Sequence, residues 1–283
     1  MAVDYEKEYD NRARVPEHPQ IFARWDAEAA AYRNAAKGAE FGINYGPSPR
    51  QTIDLFPGEN AGSDAPLAMF IHGGWWRSLS PASFSQMAKG ANTHGIDVAV
   101  VGYDLCPAVS IATITEQMGA ACLALWQRHR KRMTVFGHSA GGHLTACMLA
   151  TDWKSLDPSA PADLVPAGYA ISGVFDLLPL TQVSFNKDLQ LDDAEALRMS
   201  PLHWTVAPGR TLDAAVGGIE SNEFLRQSKT MADEWGQRGV KTRYVPIDGA
   251  NHFTVLDPLP EADSAMTKRI VELARQTAAI PPG

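Results

Sequence analysis

Cysteine is scarce in this chain: Cys106, Cys122 and Cys147 are the only three in 283 residues, widely spaced and without a C-x-x-C pair. That usage excludes a disulfide framework and offers no zinc site, so reduced, buried thiols are expected. Long apolar runs are also missing. No segment reaches the roughly 18 uninterrupted apolar residues of a membrane span, and the start, "MAVDYEKEYDNRARVPEH", is charged from the outset. A soluble cytoplasmic protein is the resulting expectation. Positive charge is in deficit, with a net charge of −7. The one basic cluster, Arg128 to Arg132, suits a solvated helix C-terminus, where cations complement the dipole. Nucleic acid is therefore excluded as a partner.

What remains is ordinary globular material, 45% hydrophobic and 20% charged, enough to bury one large core. There are no internal repeats. The alanine-rich "DAEAAAYRNAAKGAE" (26–40) favours a helix ending near Gly38, and "FGINYGPSPR" after it is broken by glycine and proline. Strand patterns then recur at 51–57, 67–71, 97–104, 133–137, 167–173, 211–217 and 241–247. Helix-length segments fall between or after them at 83–93, 114–130, 140–150, 222–237 and 262–276. Strand alternating with helix implies a mainly parallel sheet with helices on both faces. Near-continuous apolar strands such as "LAMFI" fit burial on both sides. Chemistry in such sheets gathers at the carboxyl ends of the strands.

One such end carries "VFGHSAGGHL" (135–144). Its Gly137-His138-Ser139-Ala140-Gly141 matches G-x-S-x-G between a strand and a helix, the context in which small neighbours let the chain turn sharply and present a serine hydroxyl. A serine hydroxyl attacks a carbonyl only if a base removes its proton and donors receive the oxyanion. The loop "FIHGGWW" (70–76) follows another strand, and its glycines offer amides for that purpose. Gly73 and Gly74 are the expected donors, with Ala140 as the third. The alternative is a plain glycine turn with His72 as a structural histidine.

Among eight histidines, His252 in "PIDGANHFTVL" best fits the base, since it lies between the last strand and the last helix. The order serine, acid, histidine along the chain also favours it. His138 and His143 flank the serine but lie on a turn and a helix and lack a third ligand, so no metal site is expected. The acid belongs after the penultimate strand, where Glu220 stands, with the role of orienting the imidazole and stabilising its charged form. Asp176 and Asp248 are the main rivals, with Asp213 and Glu223 behind them. Trp75, Trp76, Phe175 and Phe253 are candidates for an aromatic substrate wall, with core packing as the alternative for each and expected for at least one tryptophan.

Taken in order, "HGGWW", "GHSAGGHL", "GGIESNEFLRQS" and "GANHF" resemble the α/β-hydrolase fold, in its kynurenine formamidase and hormone-sensitive-lipase-like esterase branches. The resemblance runs from Gln51 to the C-terminus and implies a catalytic domain over 51–283 beneath a small helical cap over 1–50. Two features depart from the formamidases, which typically carry Asp at the acid position: Glu220 itself, and the second glycine, Gly142, after the serine turn. The resemblance implies a serine hydrolase using Ser139, His252 and Glu220. It would cleave small carboxylic esters through an acyl-enzyme or, alternatively, aryl formamides such as N-formylkynurenine, with no cofactor. The expected partner is that small-molecule substrate, with a homodimer left open. A hydrolase-fold binding protein without catalysis is the remaining alternative.

Overall fold

The computed structural model describes residues 3–280 and contains one eight-stranded sheet in the order β1-β2-β4-β3-β5-β6-β7-β8. The strands are β1 (Glu40–Asn44), β2 (Thr52–Phe56), β3 (Leu67–Ile71), β4 (Asp97–Val101), β5 (Met133–His138), β6 (Ala167–Ile171), β7 (Thr211–Gly217) and β8 (Lys241–Ile247). β2 is antiparallel to β1 and to β4, and every other neighbouring pair is parallel.

The helices are α1 (Tyr5–Tyr9), α2 (Asn11–Arg14), α3 (His18–Ala35), α4 (Lys89–Thr93), α5 (Ile111–His129), α6 (Ala140–Ala150), α7 (Trp153–Leu156), α8 (Asn186–Leu189), α9 (Asp193–Arg198), α10 (Asn222–Gln237) and α11 (Ala265–Ala278). Among the described residues none is long and apolar enough to cross a membrane. α5 ends with Arg130 in the left-handed conformation and with the cationic Arg128 in its last turn, in keeping with the basic cluster there.

Successive side chains of a strand point to opposite faces, and β3 divides its residues accordingly. Leu67, Met69 and Ile71 join a core with Leu125, Leu144 and Trp235. Ala68 and Phe70 join a second core with Phe84, Phe136 and Leu273 on the other side. Because both faces of β3 are covered, its sequence is apolar at every position rather than alternating.

Three strands, β3, β7 and β8, span the ranges the sequence implied, as do α6 and α10. The segment expected as one helix over 83–93 is a 3₁₀ stretch (Pro81–Ala88) continued by α4, with Pro81 at its start, where a missing N–H costs nothing. β1 was not anticipated: it lies within the first fifty residues, is largely exposed and bends at Gly42, whose φ is +68°. Those fifty residues thus contribute an edge strand as well as helices. α1 and α3 pack beside the carboxyl end of the sheet, where Tyr9 meets Trp75 and Trp25 meets Phe253.

Candidate active site

Ser139 occupies the junction between β5 and α6 with φ 56° and ψ −115°. A serine in that region is strained, a condition that persists only where the surroundings enforce it. Its N–H donates to the Ile171 carbonyl (2.8 Å) and its own carbonyl accepts from His143 N–H (3.1 Å), which together hold the turn. Ala140 is the first residue of α6, so its amide has no acceptor within the helix and points from a helix N-terminus.

His252 is buried and lines the same cavity as Ser139. Its Nδ1–H donates to Glu220 Oε2 at 2.6 Å. Glu220 Oε1 in turn accepts the Ser172 hydroxyl at 2.5 Å and the Gly217 amide at 2.6 Å. Among the acids weighed in the sequence, Glu220 is therefore the one paired with His252. Asp213 is bound by Arg269, Glu223 by Arg226 and Tyr9, and Asp176 accepts from Leu178 N–H. Asp248 makes no side-chain bond to His252 among the described residues.

His138, the residue before Ser139, donates from Nε2 to the His252 carbonyl at 2.8 Å, with the two rings 4.8 Å apart. Burial and the neighbouring imidazole hold its pKa well below the usual histidine value, so it stays neutral and acts as a strut for the His252 loop. His143 donates to the Met199 carbonyl at 2.8 Å, and burial lowers its pKa to about 4. Among the described residues no group of three or more His, Cys, Asp or Glu side chains could hold a metal ion.

The His72–Gly73–Gly74 loop follows β3. A β-carbon on Gly73 would lie 3.1 Å from the Ser139 β-carbon, which places the loop against the serine turn. Tyr103, fully buried, donates its hydroxyl to the carbonyls of His72 (2.9 Å) and Gly73 (3.3 Å). In a trans peptide the N–H points opposite to the C=O, so anchoring both carbonyls on Tyr103 turns the Gly73 and Gly74 amides the other way. Among the described residues neither amide donates to a backbone acceptor. His72 stacks on Tyr103 at 4.4 Å, donates from Nδ1 to the Gly73 carbonyl at 2.7 Å, and is held near pKa 4 by burial. The loop thus combines its glycines with a structural histidine.

Ser139 and His252 open onto a cavity of about 500 Å³, within the range that takes small organic ligands. Its aromatic lining includes Trp75, Phe253, Phe22, Trp25 and Phe185. Trp76 and Phe175, expected as candidate walls, do not line it. Both are fully buried in the core, Trp76 edge-on to His143 at 5.0 Å. Trp75 and Trp76 each have φ of 54°, and the double left-handed step reverses the chain so that one indole faces the cavity and the next faces inward. Sequence reasoning missed three contributors: Tyr103, Ser172 and Tyr9 of α1. Only the third lies in a segment that the sequence placed over the site.

This sheet, with a strained serine turn after β5 and a histidine–carboxylate pair after the last two strands, defines an α/β-hydrolase. The chain belongs to that family: a family model described as alpha/beta hydrolase fold matches residues 68–256. It is similar to a kynurenine formamidase of Danio rerio, 26% identical over 238 residues that make up 82% of this chain and 80% of that protein. A probable isoprenylcysteine alpha-carbonyl methylesterase of Arabidopsis thaliana is 26% identical over 260 residues, 81% of this chain and 54% of that one. Among solved structures, a candidate thioesterase of Silicibacter sp. TM1040 superposes with a TM-score of 0.84 at 31% identity, covering 95% of this chain and 99% of that chain. The chain therefore stands in the kynurenine formamidase-like and esterase branch of the fold.

Proposed function

We propose that the protein is a serine hydrolase that transfers a small acyl group to water through Ser139. The observation that carries this reading is the 2.6 Å bond from His252 Nδ1–H to the buried Glu220 carboxylate, beside a serine held in a left-handed turn. With its proton fixed on Nδ1, the imidazole has a free Nε2 to accept the Ser139 hydroxyl proton as Oγ attacks the carbonyl carbon. The amides of Gly73, Gly74 and Ala140 receive the oxyanion. The imidazolium, stabilised by Glu220, then protonates the departing alcohol or amine. Water, deprotonated by the same histidine, adds to the acyl-enzyme, and collapse of the second tetrahedral intermediate restores Ser139. Every step uses side chains and backbone of this chain.

Two substrate classes suit the cavity. Small carboxylic esters fit the general esterase reading, which the likeness to a methylesterase supports. Aryl formamides are favoured by the formamidase likeness over most of both chains, and by the aromatic lining at Trp75, Phe22 and Phe253, on which a flat aryl leaving group would stack. Turnover of N-formylkynurenine compared with p-nitrophenyl acetate and butyrate separates the two: hydrolysis of the esters alone rejects the formamide. The hydrolase reading itself requires that Ser139→Ala abolish turnover and labelling by a fluorophosphonate. Equal labelling of variant and wild type would reject it in favour of a non-catalytic binding protein.

A further inference from the structure

At the carboxyl end of β6 the chain runs Ile171, Ser172, Gly173, and consecutive residues there touch both ends of the proposed catalytic apparatus. The Ile171 carbonyl accepts the N–H of Ser139 at 2.8 Å. One residue later the Ser172 hydroxyl donates to Glu220 Oε1 at 2.5 Å. The Ser172 N–H extends the ladder to β7 by donating to the Ala215 carbonyl at 2.7 Å. The first turn of α6 rests on the same stretch, since a β-carbon on Gly142 would lie 2.9 Å from both the Ile171 oxygen and the Gly173 Cα.

Ser172 is fully buried and has φ 51°. Serine adopts that region only at a cost in backbone energy, and a buried hydroxyl needs a partner to offset its desolvation. Among the described residues that partner is Glu220.

Glu220 needs such a constraint. A glutamate has one more rotatable bond than an aspartate, and its terminal torsion is broad and two-fold. Oε1 is held from two sides, by Ser172 Oγ and by the Gly217 amide at 2.6 Å, which leaves Oε2 aimed at His252 Nδ1. We infer that Ser172 is a positioning residue for the proposed hydrolysis, fixing the Glu220 carboxylate against the same turn of chain that fixes Ser139. The inference rests on the proposed roles of Ser139, His252 and Glu220, and adds to them a hydroxyl that touches no substrate.

The test compares Ser172→Gly and Ser172→Ala with the wild-type full-length chain. Ser172→Gly removes the hydroxyl and also relieves the left-handed backbone, so a purely structural role predicts a fold at least as stable with unchanged kinetics. A positioning role predicts, in both variants, kcat lowered about 10- to 100-fold, as expected for losing a hydrogen bond to a charged group, with KM within about twofold of wild type. It also predicts loss or an upfield move of the low-field proton resonance of His252 Nδ1–H in the resting protein. That resonance is read without any substrate. Wild-type kcat in Ser172→Gly, with the resonance unmoved, overturns the inference alone. A wild-type chain that hydrolyses no acyl substrate while the resonance still moves in the variants overturns the hydrolase reading and leaves the positioning of Glu220 standing.

Discussion

A β-carbon on Gly141 would stand 1.9 Å from the carbonyl oxygen of Ile71 and 2.6 Å from its carbonyl carbon. The first turn of α6 is thus laid on the last residue of β3, which brings the serine turn and the His72–Gly74 loop side by side. Both contacting atoms belong to backbone at the centre of the sheet and cannot yield as a side-chain tip would. Gly141→Ala should therefore destabilise by at least the upper end of ordinary overpacking, about 3 kcal/mol or more. The gain in helix propensity, about 1 kcal/mol, does not offset that. Urea unfolding measures the difference, and an alanine variant as stable as wild type would contradict the packing described.

Replacing Glu220 by glutamine tests which atom of His252 carries the proton. Ser172 and Gly217 both donate to Oε1, so the amide oxygen of a glutamine would keep that place and its NH₂ would face Nδ1. The imidazole would then hold its proton on Nε2, where it cannot accept one from Ser139. Glu220→Gln should lower kcat by roughly 10³- to 10⁴-fold with the fold intact, by analogy with amide replacement in other triads. Steady-state kinetics decides, and a loss below tenfold would remove Glu220 from the proposed apparatus.

The fold was legible from the sequence wherever one physical signal dominated. β3 is apolar at all five positions because both faces are covered, and α10 sets its apolar face against β7 and β8 while capping itself with Ser221. β1 was not legible: its residues are mostly exposed, so no burial pattern marks them. Ser139, Glu220 and His252 could be singled out because each stands just after a strand or on a loop at the sheet's carboxyl end. Residue type could not separate Trp75 from Trp76, since two left-handed residues decide which indole faces the cavity. Tyr103 and Ser172 were invisible for a related reason: an isolated tyrosine or serine after a strand carries no mark of the carbonyl or carboxylate it will meet.

Stability should fall as pH falls through the histidine range. His72 and His143 are wholly buried, and desolvation lowers both from the ordinary 6.5 to about 4; His138 moves the same way. Between those two values the unfolded chain binds protons that the folded one refuses. For His72 and His143 the stabilisation is complete above about pH 6.5 and is lost progressively towards pH 4, on the order of 3 kcal/mol for each of the two across the window. His143→Gln, whose amide can still donate towards the Met199 carbonyl, removes one such group. Its unfolding free energy should depend on pH less steeply than that of wild type between pH 4 and 6.5. Parallel curves for the two proteins would show that His143 titrates normally.

Tyr9 ties α1 to the wall of the cavity by two separable means. Its hydroxyl donates to Glu223 Oε2 at 3.1 Å and accepts from Gln227 Nε2 at 3.0 Å. Each partner keeps another bond when the hydroxyl is lost: Glu223 to Arg226, and Gln227 to the Asp176 carbonyl at 2.8 Å. Tyr9→Phe should therefore cost only about 1 kcal/mol and leave kinetics near wild type. The ring matters more, since it meets Trp75 and Phe224 edge-on at 5.8 and 5.6 Å, and Phe224 lies 4.5 Å from the His252 ring. Tyr9→Ala opens a void between the two aromatics at a cost of about 3–5 kcal/mol. Trp75 keeps Phe185 at 4.7 Å, but Tyr9 itself lines the cavity beside it. Losing the ring therefore enlarges the wall, weakens substrate binding and should raise KM by roughly tenfold, the worth of one aromatic contact. Glu220, His252 and Ser139 keep their own bonds, so kcat should fall much less. A Tyr9→Ala enzyme with unchanged KM and a collapsed kcat would instead place α1 in the chemistry rather than in the wall.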